Sequence, residues 1–239
     1  MMTNQRRATS EQTIILQTLR EQLDRVYGAV SDLLMSRRGF SEVAKRLTEG
    51  VPASRLALAT AGITYQSWVA VKIRCQLDTD QRSVSLARIL DELVRHPGIL
   101  RRDRFVATYV RNQHEVEQLS LWAERGNNRF DEIAGVGVRS LSARVILKDR
   151  SALRECAETV RVFVNKHVAH HDKIGFEARP VEGSVDAWLD LLGVSRCIDL
   201  IESLFVKYWW LVNARAPVGL PDAPQATSLD YADNRDRAE

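Results

Sequence analysis

Apolar residues recur at intervals of three and four positions along most of the chain, and this periodicity constrains the fold more than any other feature. In a helix predicted over 10–34, that spacing places a set of apolar side chains on one face, namely Ile15, Leu19, Leu23, Val26, Val30 and Leu33. No segment shows the alternation of apolar and polar residues that is typical of a half-buried strand. The sequence therefore predicts an all-α helical bundle of about six to eight helices.

Capping residues and helix breakers delimit further helices. Ser41 is expected to cap a short helix that ends at Gly50, and Pro52 to begin a long helix towards Leu77. The long helix is apolar around most of its circumference, which is typical of a helix at the centre of a core. The remaining predicted helices share the same periodicity and span 86–95 (capped by Ser85), 101–124, 150–169 and 184–214.

Two segments interrupt this pattern. A turn is expected at 126–128, and Gly135 and Gly137 weaken any helix over 130–147. We expect 52–77 and 184–214 to be the two longest core helices. The chain divides into a flexible N-terminus over 1–9, one helical domain over 10–216, and a disordered acidic tail over 217–239.

Composition excludes several classes of protein. No apolar run approaches the roughly 20 residues of a membrane span, and no export signal is visible, so a cytoplasmic protein without membrane contact is expected. Cys75, Cys156 and Cys197 lie far apart within apolar stripes, which favours buried free thiols over a disulfide or a metal site. The sequence has no glycine-rich phosphate loop, and no cofactor is expected.

Chemistry is concentrated in residues 161–172, which hold three of the five histidines of the chain. The candidate site residues share this segment and are Arg161, Asn165, Lys166, His167, His170 and Asp172. At about 100° per residue, Lys166 and His170 lie about 40° apart on a helix, whereas Arg161 and His170 point about 180° apart. Arg161 and His170 can cooperate only if the helix ends or kinks, or if the site spans two subunits.

Three alternatives remain open for this segment. His167 continues the apolar stripe of Leu153, Val160 and Val164, so it can be a core residue. The charged helix end can simply be solvated, since basic side chains complement the helix dipole. His167, His171 and Asp172 can also ligate a metal ion, although no remote residue completes that set and no metal is expected.

The string Asn165-Lys-His-Val-Ala-His-His-Asp172 resembles the signature of HEPN domains of the AbiU abortive-infection type, commonly Arg-Asn-Lys-x-x-Ala-His-x-Asp near the end of a helix. Stretches 72–90 and 198–209 are similar to the same group, and the resemblance covers roughly 15–212. One position departs from the pattern, because Val164 stands where the family has Arg. Arg161 and His167 still satisfy the looser superfamily pattern of an Arg followed by a His.

The resemblance implies a HEPN-like domain that acts as a metal-independent endoribonuclease, with paired subunits forming the cleft. His170 would be the general acid or base, and Lys166 with Arg161 would stabilise charge on the phosphate. Asn165 would position a phosphate oxygen or the histidine, and Asp172 would orient His170. Restoring the family residue by Val164→Arg is expected to raise activity.

The resemblance also implies a role in phage defence or as a toxin, with RNA as substrate. A homodimer is expected, with 161–172 at its interface, and the aromatic run at 208–210 either joins that interface or fills the core. An antitoxin or defence-system protein is a further possible partner. The alternative function is that of a non-catalytic HEPN-like binding or regulatory subunit.

Overall fold

The computed structural model describes residues 2–49, 54–113, 118–164 and 191–220, and within these ranges the chain is all-helical without strands. The all-α prediction is therefore confirmed. The helices are α1 Met2–Thr48, α2 Ser54–Gln76, α3 Leu86–Arg95, α4 Arg102–Arg111, α5 Leu119–Ala134, α6 Ala143–Phe163 and α7 Leu191–Asn213, and a 3-10 turn covers Pro97–Ile99. None of the helices in these ranges is both long enough and apolar enough to cross a membrane.

The N-terminal part of the chain forms one helix where the sequence predicted two. α1 runs for 47 residues without a break, so the helices predicted over 10–34 and 41–50 are wrong as separate elements. The Ser41 hydroxyl donates to the carbonyl of Arg37 at 3.0 Å, as a serine inside a helix does. Contacts from other helices hold this region, because Phe40 stacks on Tyr65 of α2 with ring centroids 4.3 Å apart.

α7 lies at the centre of the bundle and packs against α1, α2, α4, α5 and α6. It runs antiparallel to α1, since Arg37 pairs with Asp199 near the start of α7 and Arg20 donates to the Val212 carbonyl near its end. The side chains that it buries are Val194, Cys197, Ile198, Ile201, Glu202, Leu204, Phe205, Tyr208, Trp209, Leu211 and Val212. Of the aromatic run at 208–210, Tyr208 and Trp209 therefore lie in the core, which was one of the two expected roles, and the half-buried Trp210 packs against it.

α6 also runs antiparallel to α7, and a buried polar contact sets this arrangement. The Asp149 carboxylate accepts hydrogen bonds from the Lys207 ammonium and the Tyr208 hydroxyl, both at 2.7 Å. Asp149 is 6% exposed, so its charge depends on these partners for stabilisation. α6 begins at Ala143, where Ser142 is the N-cap, and not at 150 as the sequence predicted.

α2 is not the central helix that its composition predicted. Its buried face carries Val69, Ala70 and Ile73, whereas Ile63, Trp68 and Val71 are 38–48% exposed. The length prediction is also wrong among the described helices, because α1 exceeds both α2 and α7, which have 23 residues each. A helix that is apolar around its circumference can be buried on all sides, but only if other helices of the chain pack against every side.

The segment from α4 to α6 differs from the sequence prediction in two respects. The helix predicted over 101–124 is interrupted between α4 and α5, and the turn predicted at 126–128 lies inside α5. A Cβ atom at Gly126 would lie 3.1 Å from Cδ1 of Tyr109, so this glycine permits close packing of α4 on α5. The segment 130–147 contains the true turn, where Gly135 and Gly137 adopt φ of 106° and 72°.

The cap and cysteine predictions have mixed outcomes. Ser85 caps α3 as expected, its side chain accepting a hydrogen bond from the Arg88 N–H at 3.1 Å. The three cysteines are free; Cys197 is buried and Cys156 half-buried, but Cys75 is exposed, contrary to expectation. Most of the predicted tail over 217–239 lies outside the described residues, which end at 220. Residues 114–117 and 165–190 also lie outside them.

The continuity of α1 can be tested at the exposed residue Glu42. In the predicted short helix this position would follow the N-cap, where proline is well tolerated. In the continuous helix, Glu42→Pro removes an interior hydrogen bond and should lower the free energy of unfolding by about 3 kcal/mol. Urea denaturation measures the change, with Glu42→Ala as the control. Equal stability of the two variants would contradict a continuous α1.

Candidate functional site

The candidate segment begins at the C-terminal end of α6, and the described part of that helix has the predicted buried stripe. Leu153 and Val160 are each 1% exposed and Val164 is 3% exposed. Cys156 belongs to the same stripe and contacts Cys197 of α7. Burial raises the pKa of the Cys197 thiol, and the neighbouring Cys156 raises it further. The Cys197 thiol therefore stays protonated at neutral pH. These contacts anchor the end of α6 to the core.

Arg161 is exposed on the surface of α6, beside the stripe. Its guanidinium donates to the Glu158 carboxylate through two hydrogen bonds, of 2.6 and 2.9 Å. This contact lowers the pKa of Glu158 and raises the pKa of Arg161, so both groups are charged at neutral pH. Arg161 is accessible to a ligand, but only if its guanidinium leaves Glu158.

The remaining candidate residues follow Val164 directly in the chain but lie outside the described residues. They are Asn165, Lys166, His167, His170 and Asp172. The predicted juxtaposition of Lys166, His170 and Arg161 therefore stays a prediction. Among the residues that the structure describes, no group of three or more His, Cys, Asp or Glu side chains could hold a metal ion.

Val164 occupies the position at which the resemblance expects Arg, and it belongs to the core. It is the C-cap residue of α6, and 3% of it is exposed. An arginine with the same side-chain direction would place a guanidinium among apolar side chains. Val164 is therefore part of how α6 packs, and the effect of Val164→Arg on activity stays a prediction.

A second region brings together polar and charged side chains that the sequence did not predict to be neighbours. A cleft of about 810 Å³ opens between the start of α4 and the turn before α6. Its lining residues are Gln12, Gly98, Arg101, Arg102, Asp103, Val106, Asn127, Arg139 and Ser140. The abundance of arginine between 95 and 144 is the feature of the sequence that could have indicated an anion site here. Only the fold brings Arg101 and Arg139 together.

Comparisons with models of known protein families, with curated proteins and with solved structures find no match to this chain.

The position of Val164 in the core leads to a prediction with a matched control. Val164→Arg should lower the free energy of unfolding by about 3 kcal/mol or more, because it buries a charge without a partner. Val162→Arg, two residues earlier at a position that is 37% exposed, should change it by less than about 0.5 kcal/mol. Urea denaturation of both variants gives the comparison. Similar stability of the two would show that position 164 can reach solvent.

Proposed function

We propose that this protein is a metal-independent endoribonuclease of the HEPN type, with its active site built from residues 161–172. The observation that carries the proposal is the string of Asn165, Lys166, His170 and Asp172 at the spacing of the AbiU-type signature. Two features support it: the described chain is all-α, and α6 leads directly into the string, which follows Val164 in the sequence. The anchored stripe of α6 provides a rigid base for the site.

The chemistry suits these residue types, because RNA supplies its own nucleophile. The 2′-oxygen attacks the adjacent phosphorus, a neutral His170 accepts the hydroxyl proton, and the bond from phosphorus to the 5′-oxygen breaks. A protonated imidazole, from His170 of the second subunit or from His167, delivers a proton to that leaving oxygen. The products are a 2′,3′-cyclic phosphate and a 5′-hydroxyl. Lys166 stabilises the charge that develops on the phosphate, Asn165 positions a phosphate oxygen, and Asp172 orients His170.

Arg161 is the one proposed site residue with a described environment, and that environment suggests how it would act. Its partner Glu158 is exposed, and exposed ion pairs are screened by water and salt, so they cost little to break. An RNA phosphodiester offers the same bidentate geometry to a guanidinium. It carries a single charge, as a carboxylate does, but the neighbouring phosphates of the strand add to its attraction for a cation, and its charge grows as the 2′-oxygen attacks. Binding of RNA would therefore transfer Arg161 from Glu158 to the phosphate.

We propose that the protein acts as a homodimer, which would resolve the opposite directions of Arg161 and His170 by letting each come from a different subunit. The exposed apolar side chains of α2 support an interface, since such patches are typical of association sites. Trp68 lies among them, and the Lys72 ammonium, 5.0 Å from its ring centroid, pairs with Asp32 at the margin. An apolar centre with a charged rim is typical of protein interfaces.

In the cell, the activity would serve phage defence or act as a toxin restrained by an antitoxin or another defence-system protein. The second candidate is a non-catalytic HEPN-like binding or regulatory subunit. The observation that favours this second candidate is the burial of Val164 in the core, at the position where the family pattern has Arg. The two candidates differ in whether the purified protein cleaves RNA.

The proposed activity predicts cleavage of single-stranded or loop RNA in the presence of EDTA. His170→Ala should reduce the rate by about 10²–10⁴-fold, because it removes the general acid–base group. Lys166→Ala should be milder if Arg161 shares the phosphate charge. Gel analysis of RNA with labelled ends measures the rate and identifies the cyclic phosphate. Intact RNA in the presence of the wild-type protein would favour the non-catalytic candidate, and cleavage that EDTA abolishes would favour a metal site.

Within the same assay, Glu158→Gln tests the part assigned to Arg161. It removes the competing negative charge and should lower the KM for RNA while leaving kcat nearly unchanged. Glu155→Gln, at another exposed position of α6, serves as the control. An unchanged KM for Glu158→Gln would remove Arg161 from the site without affecting the role of His170.

The dimer is tested separately by sedimentation at micromolar concentration. Trp68→Glu should weaken self-association by about tenfold or more, because it places a charge at the centre of the apolar patch. Leu121→Glu on α5 provides a control with nearly the same exposure, 36% against 38%. A wild-type protein that sediments as a monomer would contradict the dimer.

A further inference from the structure

The cleft between α4 and the turn before α6 is built around arginines whose positions the backbone fixes. The Arg102 N–H donates to the Arg139 carbonyl at 2.9 Å, and the Leu141 N–H donates to the Leu100 carbonyl at 3.0 Å. Arg101 and Ser140 form an antiparallel bridge between these bonds. Segments 100–102 and 139–141 are thereby held side by side, so Arg101 and Arg139 enter the same cleft from two segments of fixed separation.

Arg102 forms the wall of the cleft and is largely occupied. Its guanidinium donates to the Val138 carbonyl at 2.8 Å, pairs with Asp131, and lies 4.9 Å from the ring centroid of Phe130. Asp131 also accepts the Gly137 N–H at 2.9 Å, which ties the turn to α5. Arg102 therefore contributes charge and rigidity, and most of its hydrogen-bonding capacity is already used.

Arg139 is different, because its guanidinium is exposed and has no ion-pair partner within the part of the chain that the structure describes. Arg101 is half exposed and pairs with Asp103 at 2.6 Å, a contact that a stronger anion can displace. Gln12, Asn127 and Ser140 add uncharged polar groups to the lining. The N-terminal end of α4 opens here as well, and its dipole also favours an anion.

We propose that this arginine cleft binds a phosphate group, carried either by a free nucleotide or by a single nucleic-acid strand. Two guanidiniums that approach from fixed positions suit the bidentate recognition of phosphate oxygens. The surrounding segment 95–144 carries nine arginines against six acids, and this positive excess adds long-range attraction for an anion. The volume of about 810 Å³ accommodates a nucleotide.

The cleft is separate from the proposed cleavage site. Arg139 lies four residues before α6 begins, Arg161 lies near its end, and a helix of that length spans roughly 30 Å. Binding at the cleft therefore does not depend on the proposed function. A probe that cannot be cleaved keeps the two apart, and DNA serves because it lacks the 2′-hydroxyl.

The experiment measures fluorescence anisotropy of a labelled single-stranded oligothymidylate DNA titrated with the full-length protein, with adenosine monophosphate and inorganic phosphate as competitors. Arg139→Ala should weaken binding about tenfold, because it removes a charged hydrogen-bonding partner. It should also lower the slope of log affinity against log salt concentration by about 0.7, the value of one phosphate contact on a single strand. Arg139→Ala leaves the fold intact, since the side chain is exposed.

Asp103→Asn provides a test in the opposite direction. Asparagine keeps an acceptor for the Arg104 N–H, which Asp103 accepts at 2.9 Å, but it no longer competes for Arg101. Binding should tighten about two- to fivefold. Arg74→Ala, an exposed arginine on α2, is the control and should leave the affinity unchanged.

The competitors distinguish the source of the phosphate. Displacement of the DNA by adenosine monophosphate or inorganic phosphate identifies a site for a single phosphate group, whereas failure of both to compete identifies the backbone of a strand. The proposal is overturned if neither DNA nor nucleotide binds, if Arg139→Ala binds as the wild type does, or if Arg74→Ala weakens binding equally.

Discussion

Burial of α7 is the constraint on which the other helices depend. Its side chains meet α1, α2, α4, α5 and α6, and the largely buried ammonium group of Lys207 pairs with a carboxylate. Asp149 supplies it and simultaneously accepts the Tyr208 hydroxyl. A buried pair of this kind contributes less to stability than to specificity of arrangement, because mispairing leaves an uncompensated charge. It holds α6 and α7 together at Asp149, and the buried stripe of α6 continues this contact to Val164, beside the candidate segment.

Arginine serves three different purposes in this structure, and only the tertiary environment distinguishes them. Arg102 and Arg129 cover the aromatic rings of Phe130 and Trp210, with centroid distances of 4.9 and 4.4 Å, and both pair with acids of α5. Arg161 pairs with Glu158 on the surface. Arg139 has neither an aromatic nor an acidic partner among the described residues, so it retains its donors for a ligand. Different arginines thus line the boundary of the core, form a surface ion pair, or remain available for binding.

Residues of the same type, predicted from the sequence to have the same role, have different roles in the structure. Ser85 and Ser41 both precede apolar periodic segments, yet only Ser85 caps a helix; Ser41 lies within α1 because the Phe40–Tyr65 stack continues that helix. Sequence patterns predict an interruption of helix at both Gly126 and Gly135. Gly135 is one, with a positive φ, whereas Gly126 permits the contact with Tyr109. Local patterns identify positions with special requirements, but the requirement itself comes from a neighbouring helix.

The sequence by itself determined the all-α class, the buried stripe of Leu153, Val160 and Val164, the cap of α3, and the position of the candidate segment along the chain. These properties follow from periodicity and capping, which depend on residues within one or two turns of each other. Only the tertiary structure decided that Ile63, Trp68 and Val71 face outward, that Arg161 is held by Glu158, and that Arg101 and Arg139 share a cleft. The reason is physical: the sequence specifies which faces are apolar or charged, whereas burial and charge pairing depend on which helices pack against those faces.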